Sequence, residues 1–258
     1  STAFDWFLIT ADADAVPGNI QCTVTMTAGT DEYPYQEQET INLDLTLSQF
    51  GFPLDGIVVK SSPIVADLNS DGVKEIYFGS DYEALHGYNS FGEEIDGFPF
   101  QSTDRVRSSP AVGDVDNDGQ MEIVFGNSSG KLYVVNHDGA QQLAYNILGF
   151  IEGSPALADM DGDQDLEIFF TTTTTSGGQL YAIHHNGITM SGFPKELGSM
   201  WTGPAVHDID NDGIHDIVCT TYDKEIYAID VNGGTIKPGF PITLEGRLDI
   251  SPTIVDVD

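Results

Sequence analysis

Apolar residues along this chain come in short runs, separated by clusters of Gly, Asp, Asn and Ser. No stretch holds a 3.6-residue apolar period through three turns, so the pattern predicts strands and tight turns rather than helices. The runs recur. Segments beginning at Ser62-Pro63, Ser109-Pro110, Ser154-Pro155 and Gly203-Pro204 align without gaps, and a fifth begins at Ser251-Pro252. Their leading aspartates, Asp67, Asp114, Asp159, Asp208 and Asp256, are spaced 47, 45, 49 and 48 residues apart.

Each repeat has the same anatomy. A strand opens on Ser-Pro or Gly-Pro, a proline position that strand starts tolerate. An aspartate loop follows, then a second apolar strand such as Glu122-Ile123-Val124-Phe125. A third strand carries an aromatic residue (Tyr133, Tyr181, Tyr227) and leads into a turn pair, Asp138-Gly139, Asn186-Gly187 or Gly233-Gly234. Such pairs are hairpin chemistry. Three repeats close on Gly-Phe-Pro, at Gly97, Gly192 and Gly239. The second offers Gly149-Phe150-Ile151 in its place, and an extra copy stands at Gly51-Phe52-Pro53.

Four short strands per period predict an all-β fold of β-propeller blades, each a four-stranded antiparallel sheet. The expected repeats are 61–107, 108–152, 153–201 and 202–249, with a partial one at 250–258. A β-solenoid is the competing architecture, but its coils are usually shorter. Residues 1–49 stand outside the repeat. Alternation in Ile20–Thr27 and Ile41–Leu47 predicts antiparallel strands there, either the end of an immunoglobulin-like sandwich or a small packed sheet.

The loops carry the candidate chemistry. Oxygen ligands fall at loop positions 1, 3, 5 and 9, with a backbone carbonyl at position 7. Loop one offers Asp67, Asn69, Asp71, Val73 and Glu75. Loop two offers Asp114, Asp116, Asp118, Gln120 and Glu122. Loop three offers Asp159, Asp161, Asp163, Asp165 and Glu167, and loop four Asp208, Asp210, Asp212, Ile214 and Asp216. Hard oxygens alternating along a tight turn converge on one point, which suits Ca²⁺ better than the smaller Mg²⁺. Solvated turn residues are the bland alternative. That alternative must explain why like charges crowd within nine residues four times over. Position 6 is glycine in three loops, as a left-handed turn residue requires. Loop three has Gln164 there, and holding a non-glycine residue in that conformation is expected to cost on the order of 1 kcal/mol.

The loops are not EF-hands, whose position 12 is a glutamate; here that position is Phe78, Phe125, Phe170 or Cys219. The Asp-x-Asp-x-Asp-Gly-x-x-Asp/Glu loop after a Ser-Pro-Ala-Val strand resembles the FG-GAP or VCBS repeat family, found in integrin α-subunit propellers and secreted bacterial propellers. The resemblance spans residues 50–258. It implies a calcium-stabilised, secreted or cell-surface module for adhesion or for binding a protein or carbohydrate ligand at a propeller face. It also admits a second reading, part of a secreted polysaccharide lyase or hydrolase. For that reading Arg105, Arg107 and Arg247 are the candidate anion contacts.

Charge narrows the choice. Forty-one acidic residues against nine basic ones give a formal −32, which excludes a nucleic-acid footprint. A hydrophobic fraction of 40% argues against disorder. No apolar run is long enough to span a membrane as a helix, so no membrane insertion is expected. Residues 1–6 have no signal-peptide pattern. The chain stops inside its fifth loop, so it is expected to be a fragment of a larger secreted bacterial protein, with edge strands open to self-association. Cys22 and Cys219 form no disulfide framework. Gly126-Asn127-Ser128-Ser129-Gly130 formally matches a nucleophile elbow, yet it joins two strands rather than a strand and a helix. It also contains the sequon Asn127-Ser128-Ser129. His184 and His185 are expected to be exposed turn residues, as are His207 and His215 beside loop four.

Overall fold

A computed structural model describes residues 18–30, 33–45 and 51–255, with side chains from 51 onward. The end of the fifth repeat, 256–258, lies outside the described residues. Two compact units divide the chain, Ser1–Pro53 and Leu54–Asp258. In the first, β1 (Gly18–Thr30) and β2 (Tyr33–Leu45) form an antiparallel hairpin, in register from Gly18–Leu45 to Thr30–Tyr33.

The second unit is a row of four antiparallel meanders. The first contains β3 (Ile64–Ala66), β4 (Glu75–Gly79), β5 (Ala84–Tyr88) and β6 (Phe100–Gln101). The second contains β7 (Ala111–Gly113), β8 (Glu122–Gly126), β9 (Lys131–Asn136) and β10 (Gln141–Asn146). The third contains β11 (Ala156–Ala158), β12 (Glu167–Thr171), β13 (Gln179–Ile183) and β14 (Lys195–Glu196). The fourth contains β15 (Ala205–His207), β16 (Asp216–Thr220), β17 (Glu225–Asp230) and β18 (Thr235–Ile236), with β19 (Ile242–Thr243) also paired to β17. No helix occurs among the described residues, and so none could cross a membrane.

The core lies between the sheets. Successive residues of a strand face opposite ways, so β8 sends Ile123 and Phe125 towards the first sheet and Val124 towards the third. β12 divides the same way, with Ile168 and Phe170 against the second sheet and Phe169 against the fourth. Three apolar clusters result, each shared by two neighbouring sheets. Directly opposed aromatics stiffen them. Phe125 stacks on Tyr133 at 5.2 Å and Phe170 on Tyr181 at 4.9 Å, pairs worth about 0.5–1.5 kcal/mol beyond their burial.

Gly-Phe-Pro serves the same seams. Phe98 and Phe193 are buried in the clusters. Gly97 abuts the Asp138-Gly139 turn of the next sheet so closely that a Cβ would lie 2.0 Å from the Asp138 carbonyl. Gly149-Phe150-Ile151 proves not to be a variant of this motif. Ile151 covers Gly126 as Val106 covers Gly79, so the segment belongs to the connection leading to the next sheet. The second sheet instead completes itself with the six-residue strand β10.

Candidate metal centre

Each aspartate loop links the first two strands of its sheet and is pinned to the core at both ends. Position 2 (Leu68, Val115, Met160, Ile209) is an apolar residue packed in or against an inter-sheet cluster, or half-buried beside it. Its backbone N–H donates to the position-9 carboxylate: Leu68 to Glu75, Val115 to Glu122 at 2.8 Å, Met160 to Glu167 at 2.8 Å, and Ile209 to Asp216. Those four carboxylates begin the second strands and are all buried. Position 1 accepts two backbone donors in three loops: Asp67 from Asp71 and Gly72, Asp114 from Asp118 and Gly119, Asp208 from Asp212 and Gly213. Position 5 accepts the N–H of position 7 in every loop, from Val73, Gln120, Asp165 and Ile214. The loop is thus folded by its own carboxylates.

Left-handed residues set its curvature. Gly72, Gly119 and Gly213 have φ of 87–89° at position 6, and Ser70, Asn117 and Asn211 have φ of 56–58° at position 4. Loop three uses Gly162 (φ 82°) at position 4 and holds Gln164 at φ 81°. It therefore takes a similar turn, at a cost of about 1–2 kcal/mol for the side chain at position 6. Asp159 then bonds Gly162 in place of positions 5 and 6.

Ligand atoms of Asp114, Asp116 and Glu122 lie within 4.8 Å of one another, and so do those of Asp208, Asp210 and Asp216. Positions 1, 3 and 9 converge in these two loops, while Asp118 and Asp212 hold the turn. In loop three the group is Asp161, Asp163, Asp165 and Glu167, with the Asp165 carboxylate joining where its carbonyl was expected. Loop one, with Asn69 at position 3, forms no such group among the described residues. Buried oxygens without a partner remain at Asp116 Oδ1, Asp165 Oδ1 and Asp216 Oδ1. An unpaired buried carboxylate oxygen is costly, and a cation would satisfy it.

Charge has accumulated where water is scarce. Burial, opposed by the Val115 N–H and reinforced by Asp116, Asp118 and Asp114, pushes Glu122 up to about 7. Burial also raises Glu75 and Glu167. Asp208 is lowered, chiefly by the Gly213 N–H.

Residues outside the loops complete the sites, and sequence reasoning did not place them there. His184 Nδ1 lies 2.9 Å from Glu167 Oε1 and, with Asp161, makes a second possible ligand group; His185 Nδ1 faces Asp165. Expected as exposed turn residues, both are only half-exposed and point to loop three. Their place at the end of strand three, beside the position-9 carboxylate on strand two, was the available signal. Lys237 Nζ lies 2.7 Å from both Asp210 Oδ2 and Asp216 Oδ2. Gln142 Nε2 donates to Asp116 Oδ2 at 2.5 Å in loop two. His207 and His215 are exposed, as expected, with rings 6.2 Å apart. Gly126–Gly130 is a strand-to-strand turn in which Asn127 Oδ1 accepts from Ser129 and Lys131. Of the arginines, Arg107 pairs with Asp81 at 2.8 Å and Arg247 lies 3.5 Å over the Tyr222 ring.

A family profile described as FG-GAP-like repeat matches residues 114–170 and 159–219, the segments holding loops two to four. The chain carries FG-GAP-like repeats. Solved structures place these repeats in a β-propeller fold. The BBS1N chain of a crystal structure with ARL6DN matches with a TM-score of 0.55 and 13% identity, over 74% of this chain and 57% of that one. BamB from Moraxella catarrhalis matches with a TM-score of 0.51 and 18% identity, over 78% and 56%. The chain thus spans little more than half the length of these relatives. A comparison with curated protein sequences finds no match. The matched residues include the positions of loops two to four, while loop one and Lys237 lie outside them.

Proposed function

We propose that this chain is an extracellular calcium-binding β-propeller module for adhesion or ligand binding, without catalysis of its own. The observation that carries the reading is the convergence of positions 1, 3 and 9 in loops two and four, with buried oxygens left unpaired. Carboxylates with few nitrogen donors suit Ca²⁺, which accepts an irregular oxygen cage that Mg²⁺ does not. Asp114, Asp116 and Glu122 would hold the ion in loop two, and Asp161, Asp163, Asp165 and Glu167 in loop three. Asp208, Asp210 and Asp216 offer the same set in loop four, where an ion would have to displace the Lys237 ammonium from Asp210 and Asp216. Loop one offers Asp67, Asn69, Asp71 and Glu75. Each ion bridges a loop already fastened to an inter-sheet cluster, so calcium would stiffen the seam beneath it. Millimolar extracellular calcium would keep even modest sites filled, which supports a place outside the cell. Partner binding is supported by the BBS1N structure, a propeller held in complex with another protein.

The test is thermal melting in 1 mM Ca²⁺ and in EDTA, with calorimetric titration. An ion at 100 times its Kd adds about 2.7 kcal/mol per site, or roughly 5–10 °C for a domain of this size. Equal melting temperatures would sink the calcium assignment. Turnover of an acidic polysaccharide would overturn the non-catalytic part.

A further inference from the structure

The repeats bring one side chain each to a single place. Two residues before the first four Ser-Pro or Gly-Pro pairs stand Lys60, Arg107, Glu152 and Trp201, and before the fifth stands Asp249. The first four of these residues line one pocket of about 520 Å³, which Asp249 does not line. An adjoining pocket of about 260 Å³ shares Arg107, Glu152 and Trp201 and adds Asp104, Arg105, Ser128 and Phe150, so that two carboxylates, Asp104 and Glu152, stand among its basic groups. The sheets meet here, for Ser62 N donates to Ser109 Oγ at 2.8 Å and Gly203 N to Ser251 Oγ at 3.1 Å, each bond joining equivalent positions of neighbouring repeats. The surrounding sequence repeats, yet this position carries a lysine, an arginine, a glutamate and a tryptophan. Repetition of the fold does not demand that difference.

The chemistry of the lining is specific. Three of the nine basic residues in a chain of net charge −32 meet in these pockets. Arg107 is engaged by Asp81 at 2.8 Å and approaches Glu152 at 3.9 Å. No carboxylate among the described residues lies within ion-pair distance of Lys60 or Arg105. Trp201 is 46% exposed and Phe150 40%, so two flat apolar faces stand open beside Lys60 and Arg105, which make no direct ion pair but act on Asp81 from a distance. Glu152 is held by the Ser128 hydroxyl at 3.1 Å and keeps acceptor capacity.

We propose that this convergence of the repeats is a binding site for a carboxylate-bearing saccharide. The sugar's flat C–H face stacks on Trp201 or Phe150, its carboxylate meets Arg105 and Lys60, and its hydroxyls donate to Glu152. The volume suits a ligand of two or three rings. The inference rests on the ligand-binding reading of the propeller and is independent of its calcium.

The test uses the full chain in calcium with Trp6→Phe, which leaves Trp201 as the one tryptophan, titrated with trigalacturonate. The expected result is saturable quenching with matching calorimetric heat, and at least tenfold weaker binding of neutral galactotriose. Arg105→Ala and Lys60→Ala together should weaken trigalacturonate at least tenfold. Trp201→Ala, followed by calorimetry, should do the same, with the melting temperature unchanged. Arg105→Glu keeps the test sharp should one alanine variant fold poorly. The proposal falls if trigalacturonate fails to bind, if the neutral sugar binds equally, or if the variants bind like the parent. It falls equally if a poly-glutamate peptide binds at this site and the saccharide does not. The calcium reading is scored separately by melting in EDTA.

Discussion

Loops two and four share their backbone plan and their converging ligands, and each leaves one buried oxygen without a partner, on Asp116 in the one and Asp216 in the other, but their surroundings differ. In loop two the side-chain donors are neutral amides, Gln142 to Asp116 and Gln120 to Asp118, and Glu122 is driven up to about 7. In loop four the ammonium of Lys237 bridges Asp210 and Asp216. Burial opposes its charge, but those two hydrogen bonds raise its pKa. Lys237 donates its backbone N–H to Ala228, as Met190 does to Ala182 and Ile95 to Gly87. At the structurally matching place, then, two repeats have an apolar residue and the fourth has a cation. One loop waits for a positive charge; the other contains one. Repeats of identical backbone need not share a dependence on metal.

The sharpest way to break this comparison is Lys237→Met. Removing one partner of a buried ion pair costs about 3–5 kcal/mol, so the variant should melt roughly 10 °C lower in EDTA. In 1 mM Ca²⁺ most of that loss should return. A variant that melts like the parent in EDTA would make Lys237 a bystander. Next in size is Glu122→Gln, which keeps an acceptor for the Val115 N–H and removes a charge. Its stability in EDTA should match or exceed the parent's, while the calcium gain should shrink by the ~2.7 kcal/mol of one site. Calorimetric stoichiometry would check this independently.

Smaller is the effect of pH on the metal-free protein. Glu122 is raised above its ordinary 4.5, so between about 4.5 and 7 the folded state keeps a proton that the unfolded chain has released. Stability therefore falls as pH rises through that window. Melting in EDTA should drop by a few degrees for the parent relative to Glu122→Gln between pH 5 and 8. Asp208 is lowered instead, and its contribution is lost as pH falls below the ordinary carboxylate range. Smallest is Gln164→Gly in loop three, which relieves a left-handed side chain but frees the unfolded chain. These effects of about 1 kcal/mol oppose one another. A melting rise of no more than a few degrees is expected, and a clear fall would show that Gln164 is not strained.

Much of the fold was legible because it is written four times. Ser-Pro starts, alternation and turn glycines recur at matching offsets, and the structure lays a sheet on each copy. The loop positions that draw together in loops two and four, 1, 3 and 9, could be picked out for the same reason, whereas loop three gathers its carboxylates without Asp159. Features that differ between copies were not. Lys237 lies 21 residues beyond Asp216, in a place held elsewhere by Met190 or Ile95, so periodicity assigns it to packing. His184 and His185 read as turn residues because the pairing of strands two and three, which brings His184 to Glu167, is a matter of register. Gly149-Phe150-Ile151 misled by resembling a motif that the second repeat lacks. Lys60, Arg107, Glu152 and Trp201 did share an offset from the first four Ser-Pro or Gly-Pro pairs. Their chemical variety hid them, because a search for repeats rewards sameness.

The apolar clusters have one further consequence. Each is built from two adjacent sheets, and no residue serves more than one of the three. A lineage could therefore duplicate, delete or exchange one copy while refitting only the two seams beside it. Novelty in one copy, whether a lysine over a loop or a tryptophan at the meeting point, would then be tried without recasting the others.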